Sequence, residues 1–264
     1  MIKRIITAII GGAVFIGLML AGGAYFQILI ALLVIIAMNE LFKMHKLQLM
    51  SFEGILSTMA ALFLALPIGK YFFGMDVEGS TLLFMLCLFG MLTAMVFSKG
   101  SYSFEDIGFP FLSAFYVGIG FQSLLLARES GLAVVFLALF IVWSTDIGAY
   151  FVGKSIGKRK LIPDVSPNKT VEGSIGGILS AVVVAILMFI FYKNDLPQIG
   201  FVKLVLFTIV FSIVGQIGDL VESSIKRHYG VKDSGKLLPG HGGVLDRFDN
   251  LIFVFPIMHL LGLF

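Results

Sequence analysis

Residues 201–249 read FVKLVLFTIVFSIVGQIGDLVESSIKRHYGVKDSGKLLPGHGGVLDRFD, an apolar run of helical length that passes into the longest polar stretch of the chain. Between Ser223 and Asp249 stand Lys226, Arg227, Lys232, Asp233, Lys236, His241, Asp246, Arg247 and Asp249. Another apolar run follows, so these charges are held at a membrane boundary. Charge kept there implies polar chemistry, and this mixture of acids and bases suits phosphate groups and metal ions.

The surrounding composition fixes the class. The 264 residues are 58% hydrophobic and 13% charged, with a mean hydropathy of +1.02, whereas a soluble domain is about 25% charged. Such a chain cannot cover a water-facing surface, and the expected fold is all-α, a polytopic membrane protein. The net charge of +3 gives no sign of a nucleic-acid partner, and the single cysteine, Cys87, excludes an intrachain disulfide or a thiolate zinc cluster.

A helix needs about 20 apolar residues to cross the hydrocarbon core. Runs near that length fall at 5–21, 24–43, 54–73, 80–97, 107–127, 131–152, 174–192, 201–221 and 248–264, which predicts nine transmembrane helices. Gly22-Gly23 is the weakest boundary, compatible with one long hairpin or a re-entrant pair. The first run, preceded by Lys3-Arg4, reads as a span rather than a cleaved signal because another apolar run follows directly. With the amino terminus inside, the inner loops carry Lys3, Arg4, Lys43, Lys46, Lys99, Lys154, Lys158, Arg159, Lys160, Lys169, Lys226, Arg227, Lys232, Lys236 and Arg247. The outer side keeps only Lys70, Arg128, Lys193 and Lys203. This asymmetry puts both long loops in the cytoplasm of a cell (inner) membrane protein.

The halves differ. Residues 1–130 read as a transmembrane scaffold whose few charges, Glu40 among them, sit at span ends. Residues 131–264 read as a catalytic transmembrane region with cytoplasmic loops 153–173 and 222–247. Asp146 interrupts the sixth span and Asp219 the eighth, although an ionised acid at a helix centre costs about 2.5–3.5 kcal/mol on insertion scales. Asp219, Glu222 and Lys226 share one helix face at i, i+3 and i+7. Asp246 and Asp249 lie three apart at the start of the ninth span, so two helices present acids at one level. Hard divalent cations such as Mg²⁺ take oxygen ligands of this kind and complete their shell with substrate phosphates.

Other patterns read more plainly. Gly148 to Ser155 matches the phosphate-loop spelling G-x-x-x-x-G-K-S, but Ala-Tyr-Phe-Val at a membrane helix end is not a flexible strand-to-helix loop. Gly173, Gly176, Gly177 and Ala181 suit close helix packing, with a homodimer face as the alternative. Pro239-Gly240-His241-Gly242-Gly243 reads as a place where backbone and imidazole come close to an anion.

The passage Ser223-x-Ile225-Lys226-Arg227-x₄-Lys232-Asp233-x-Gly235-x₂-Leu238-Pro239-x-His241-Gly242-Gly243-Val244-x-Asp246-Arg247-Phe248-Asp249 resembles the signature of the phosphatidate cytidylyltransferases, the CDP-diacylglycerol synthases. Asp146-Ile147-Gly148-Ala149-Tyr150 and Ser166 to Gly173 resemble the preceding part of the same family, with Asn168 and Val171 departing from its commoner lysine and aromatic. The likeness covers roughly residues 140–250.

The resemblance implies a nucleotidyltransferase of phospholipid biosynthesis that joins CTP and phosphatidic acid to give CDP-diacylglycerol and pyrophosphate. Asp219 and Asp246 are then the first expected Mg²⁺ ligands, with Asp249 and Asp146 behind them and room for a second cation. Lys226, Arg227, Lys232, Arg247 and His241 would hold CTP phosphates or pyrophosphate. Ser166, Asn168, Lys169 and Thr170 would take a substrate phosphate, and Ser223, Asp233, Gly242 and Gly243 complete the expected binding set. The acyl chains would stay in the bilayer while the head group enters a cytoplasm-facing polar cavity. Two rival readings are a CTP-dependent enzyme acting on an isoprenoid phospholipid or polyprenol, and a cation-coupled transporter. The transporter would need paired broken helices in the two halves, and the unusual charge lies in only one of them.

Overall fold

The computed structural model describes the chain apart from residues 1, 75–76, 193–195, 197–198, 238–239 and 241. Ten helices run in the order α1 (Ile2–Ala21), α2 (Gly23–His45), α3 (Phe52–Ala65), α4 (Ile68–Phe73), α5 (Val77–Phe97), α6 (Phe104–Ser130), α7 (Leu132–Ile156), α8 (Val171–Tyr192), α9 (Phe201–His228) and α10 (Leu245–Leu260). Between α7 and α8 lies a small antiparallel ribbon, β1 (Lys160–Ile162) and β2 (Ser166–Thr170), with Lys160 opposite Thr170 and Ile162 opposite Ser166. The protein is thus a polytopic, almost wholly helical membrane protein.

Among the described residues six helices are long and apolar enough to cross a bilayer, namely α2, α5, α6, α7, α8 and α9. The expected third span at 54–73 is not one helix. Leu66 is extended, with φ −122° and ψ 149°, because the ring of Pro67 disfavours helical backbone at the residue before it. What remains is α3, whose 14 residues at about 1.5 Å each fall short of the roughly 30 Å hydrocarbon core. Helix α10 has only 16 residues and contains Pro256. At the first boundary, α1 and α2 part at Gly22, whose φ of 66° is open to glycine without steric penalty.

Packing divides the chain into two compact units. The first comprises Met1–Leu125 together with Asp233–Asp246, and the second Leu126–Lys232 together with Arg247–Phe264. The polar stretch 223–249 is therefore shared out: its central segment folds with the amino-terminal helices.

In the first unit, α2 supplies the central stripe. Phe26, Ile30, Val34, Ala37, Met38, Leu41 and Phe42 are all buried, at the three- and four-residue spacing of one helix face. In the second unit α7 and α8 pack antiparallel and very close. A β-carbon at Gly176 would meet the Val152 side chain, and one at Gly177 would sit 2.7 Å from the Thr145 carbonyl oxygen. The small-residue stripe of the eighth helix thus serves packing inside this unit. Helix α7 is bonded to α9 by the hydroxyls of Thr145 and Ser212, 2.8 Å apart. Residues 148–155 lie within α7, so the phosphate-loop spelling is helical, as its apolar residues predict.

Candidate active site

In the second unit the ribbon delivers the Ser166–Thr170 loop to the helices. The Thr170 hydroxyl caps α8 by accepting from the Gly173 amide at 3.1 Å, which meets one of the donors that every helix start leaves unpaired. The carboxylate of Glu172 accepts from the amides of Lys158 at 3.0 Å and Arg159 at 3.2 Å. The Arg159 carbonyl in turn accepts from the Val171 amide at 2.9 Å. Ribbon and helix start are therefore one hydrogen-bonded piece. No strand is legible here from residue pattern, because a pairing this short around Pro163-Asp164 cannot show an alternation.

Beside the ribbon lies a cavity of about 530 Å³, lined by α7, α8, α9 and both strands. Asp146, Asn168, Lys169, Thr170, Gln216 and Asp219 give it its polar wall. The ammonium group of Lys169 forms an ion pair with the Asp219 carboxylate. Asp219 also accepts from the Ser223 hydroxyl at 3.3 Å.

Helix α10 can approach this wall because residue 218 is glycine: a β-carbon there would lie 2.6 Å from the Asp249 carbonyl oxygen and 3.0 Å from the Phe253 ring. Asp249 is thereby brought beside α9 one residue from Asp219, whose carboxylate lines the cavity with that of Asp146. Asn250 steadies Asp146, donating from Nδ2 to both of its carboxylate oxygens at 3.2 and 3.1 Å. Asn250 is buried and was passed over in the sequence. Its signal was weak, an amide one residue after a motif acid at the edge of an apolar run.

The remaining cations of this unit are differently engaged. Helix α9 continues to His228, so Lys226 reaches Glu222 one turn back, at 2.5 Å from Nζ to Oε2. Arg227 donates to the carbonyls of Val165 at 3.4 Å and Val231 at 3.3 Å, clipping the ribbon turn to the end of α9. Lys232 and Arg247 have exposed side chains.

In the first unit the signature loop is built around carboxylates. Oδ2 of Asp246 accepts from the Ser234 amide at 2.9 Å and the Gly243 amide at 2.7 Å, and the Ser234 hydroxyl, 2.9 Å away, can turn to it or to Glu40. Glu40 of α2, only 3% exposed, receives the Val244 amide at 2.8 Å, the Leu245 amide at 3.0 Å and the Ser234 hydroxyl at 3.0 Å. The glycines were expected to make room for phosphate. The structure gives them an internal reason. A β-carbon at Gly243 would strike both Glu40 oxygens and the Ser234 hydroxyl, and one at Gly242, where φ is 83°, would strike Asp246. Asp233 is exposed. His241 lies outside the described residues.

The donor set is oxygen only. Among the described residues no three His, Cys, Asp or Glu side chains converge to hold a metal by themselves. That arrangement suits Mg²⁺ better than zinc, since Mg²⁺ commonly takes one or two carboxylates and leaves the rest of its shell to phosphate oxygens and water.

A family profile described as the cytidylyltransferase family matches residues 2–264. A phosphatidate cytidylyltransferase of Bacillus subtilis (strain 168) is 43% identical over 266 residues, covering 99% of this chain and 98% of that protein. One from Staphylococcus haemolyticus (strain JCSC1435) is 43% identical over 258 residues, covering 98% and 97%. One from Staphylococcus aureus (strain COL) is 42% identical over 258 residues with the same coverage.

Proposed function

Since the chain belongs to the cytidylyltransferase family, and as such makes CDP-diacylglycerol and pyrophosphate from CTP and phosphatidate in phospholipid biosynthesis, we propose that the polar wall of the second-unit cavity carries the reaction. The observation behind this is the pairing of Lys169 with Asp219 on that wall. It joins a cation suited to phosphate with a carboxylate suited to Mg²⁺.

The phosphate of phosphatidate is already an anion, so attack on the α-phosphorus of CTP needs no strong general base. One phosphorus–oxygen bond forms as the bond to the leaving pyrophosphate breaks. What the protein must supply is neutralisation and alignment of anionic groups. Lys169, freed from Asp219 when a phosphate enters, takes part of that charge, and Asn168 and Thr170 border the same space. Asp219, with Asp146 and Asp249 behind it, would hold Mg²⁺, and Asp246 is the corresponding acid of the signature loop. When bound, the ion neutralises phosphate charge and helps to align the in-line displacement. Lys226, Arg227, Lys232, Arg247 and His241 remain candidates for the pyrophosphate.

Labelled CTP, Mg²⁺ and phosphatidic acid, incubated with the purified protein in detergent micelles, should give a labelled lipid. Isoprenoid and polyprenyl phosphates should give little. Micelles enclose no compartment, so absence of labelled lipid from every lipid phosphate supplied would overturn the enzyme reading.

We further propose that the cavity opens to the cytoplasm, on a nine-span path in which α3 and α4 together make the third crossing. Ser155 and Lys236 are suitable reporters, because both are exposed; Ser234 is not, being buried against Glu40. Cysteines at 155 and 236, in a Cys87→Ser background, should react with an impermeant thiol reagent in inside-out vesicles and stay unlabelled in intact cells. Labelling in intact cells would reverse the orientation.

A further inference from the structure

We propose that Glu40, a helix α2 residue far outside the signature, is a positioning residue of the reaction, holding the signature loop and the first turn of α10 so that Asp246 is presented in one orientation. The proposal rests on the reading above in which Asp246 is an acid of the reaction.

The geometry is specific. The amides of Val244 and Leu245 stand at the start of α10, where a helix leaves donors unpaired and favours negative charge. Most helices meet these donors with a neighbouring side chain. Here the acceptor comes from 205 residues away in sequence. Its two oxygens divide the work, Oε1 taking Val244 and Oε2 taking Leu245 and the Ser234 hydroxyl. That hydroxyl also lies 2.9 Å from Asp246, and its single hydrogen can serve only one carboxylate at a time. Ser234 therefore couples the two acids. The surroundings are shaped to Glu40 as well. A β-carbon at Gly235 would stand 2.6 Å from Oε1, and one at Gly243 would overlap both oxygens.

Glutamine at this position keeps the size but offers one acceptor and one donor to a ring of three donors. One backbone amide at the α10 start must then lose its partner. Groups that orient metal ligands from behind typically cost about 10–100-fold in metal affinity or activity when changed. Glu40→Gln should accordingly lower kcat by about 10–100-fold and raise the Mg²⁺ concentration for half-maximal rate, with the thermal midpoint in detergent lowered only by the few degrees that one unpaired buried amide costs. Without Mg²⁺ or CTP, trypsin should cut after Lys236 faster than in the parent protein, while cutting after Lys160 in the β-ribbon keeps its rate. A Glu40→Gln, Ser234→Ala double variant should lose less than the product of the single losses, because Ser234 acts through the same carboxylates. Glu40→Asp, which keeps both acceptors on a shorter stem, should recover part of the rate.

Parent-like kcat and Mg²⁺ dependence in Glu40→Gln would overturn the proposal. So would faster cleavage at Lys160 and Lys236 alike, because that pattern describes general loosening. Should Asp246→Asn itself retain full activity, the underlying reading of Asp246 fails, whereas a dead Asp246→Asn beside an unaffected Glu40→Gln sinks only the role given to Glu40.

Discussion

Asp219→Asn should lower kcat/KM for CTP by at least about 10²-fold, the scale on which removal of one preorganised charge-stabilising group is felt, while the protein still inserts and elutes as a single species in detergent. The substitution keeps the shape of the side chain and removes its charge. Two things are lost together: the carboxylate proposed to hold Mg²⁺, and the counter-charge of Lys169. Asp219→Glu restores the charge on a longer stem, but misplacement by about 1 Å can itself cost about 10²-fold, so it should stay well below the parent rate. Initial rates across a CTP series, with a parallel elution profile, decide the matter. A parent-like kcat/KM in Asp219→Asn would remove this residue from the reaction.

Chelation of divalent cations should bring turnover to background, and added Mg²⁺ should restore it. The same ion should also stabilise the resting protein. Asp146 and Asp219 line one cavity and Asp249 lies beside Gly218, and a ligand that binds only the folded state at one hundred times its Kd adds about 2.7 kcal/mol. Thermal unfolding in detergent, with and without Mg²⁺ and in the absence of both substrates, reads this directly. The midpoint of the parent protein should rise with Mg²⁺, and that of Asp219→Asn should rise much less. Full turnover after exhaustive chelation, or equal midpoint shifts in the two proteins, would count against a cation at this cluster.

Much of this was legible in the chain. Apolar length announces a helix in a bilayer, and six of the expected runs are helices long enough to cross one; acids such as Asp146 and Asp219 stand out because lipid makes them costly. The third crossing was misjudged because Pro67 acts through its neighbour's backbone and leaves the apolar composition intact. Glu40 was passed over for a related reason. It lies at helical spacing from Leu33, Ala37 and Met44, all buried, and a stripe that contains one acid still reads as apolar on average. Its partners are distant in sequence, and no local pattern carries them. The glycines of the signature loop were given an external reason, room for phosphate, when two carboxylates of the protein already fill the space beside them.

The reach of Glu40 also bears on how the protein is made. Residue 40 leaves the ribosome 205 residues before Leu245, the last of its hydrogen-bond donors. At about 5–20 residues per second of synthesis the interval is about 10–40 s. Throughout it the nascent second helix carries an acid whose final hydrogen-bond partners do not yet exist. Any fragment that stops short of Asp233–Asp246 leaves that carboxylate without these donors permanently. The amino-terminal helices, although they come first, are completed by one of the last loops to be translated, which makes the loop a check that synthesis has passed residue 246.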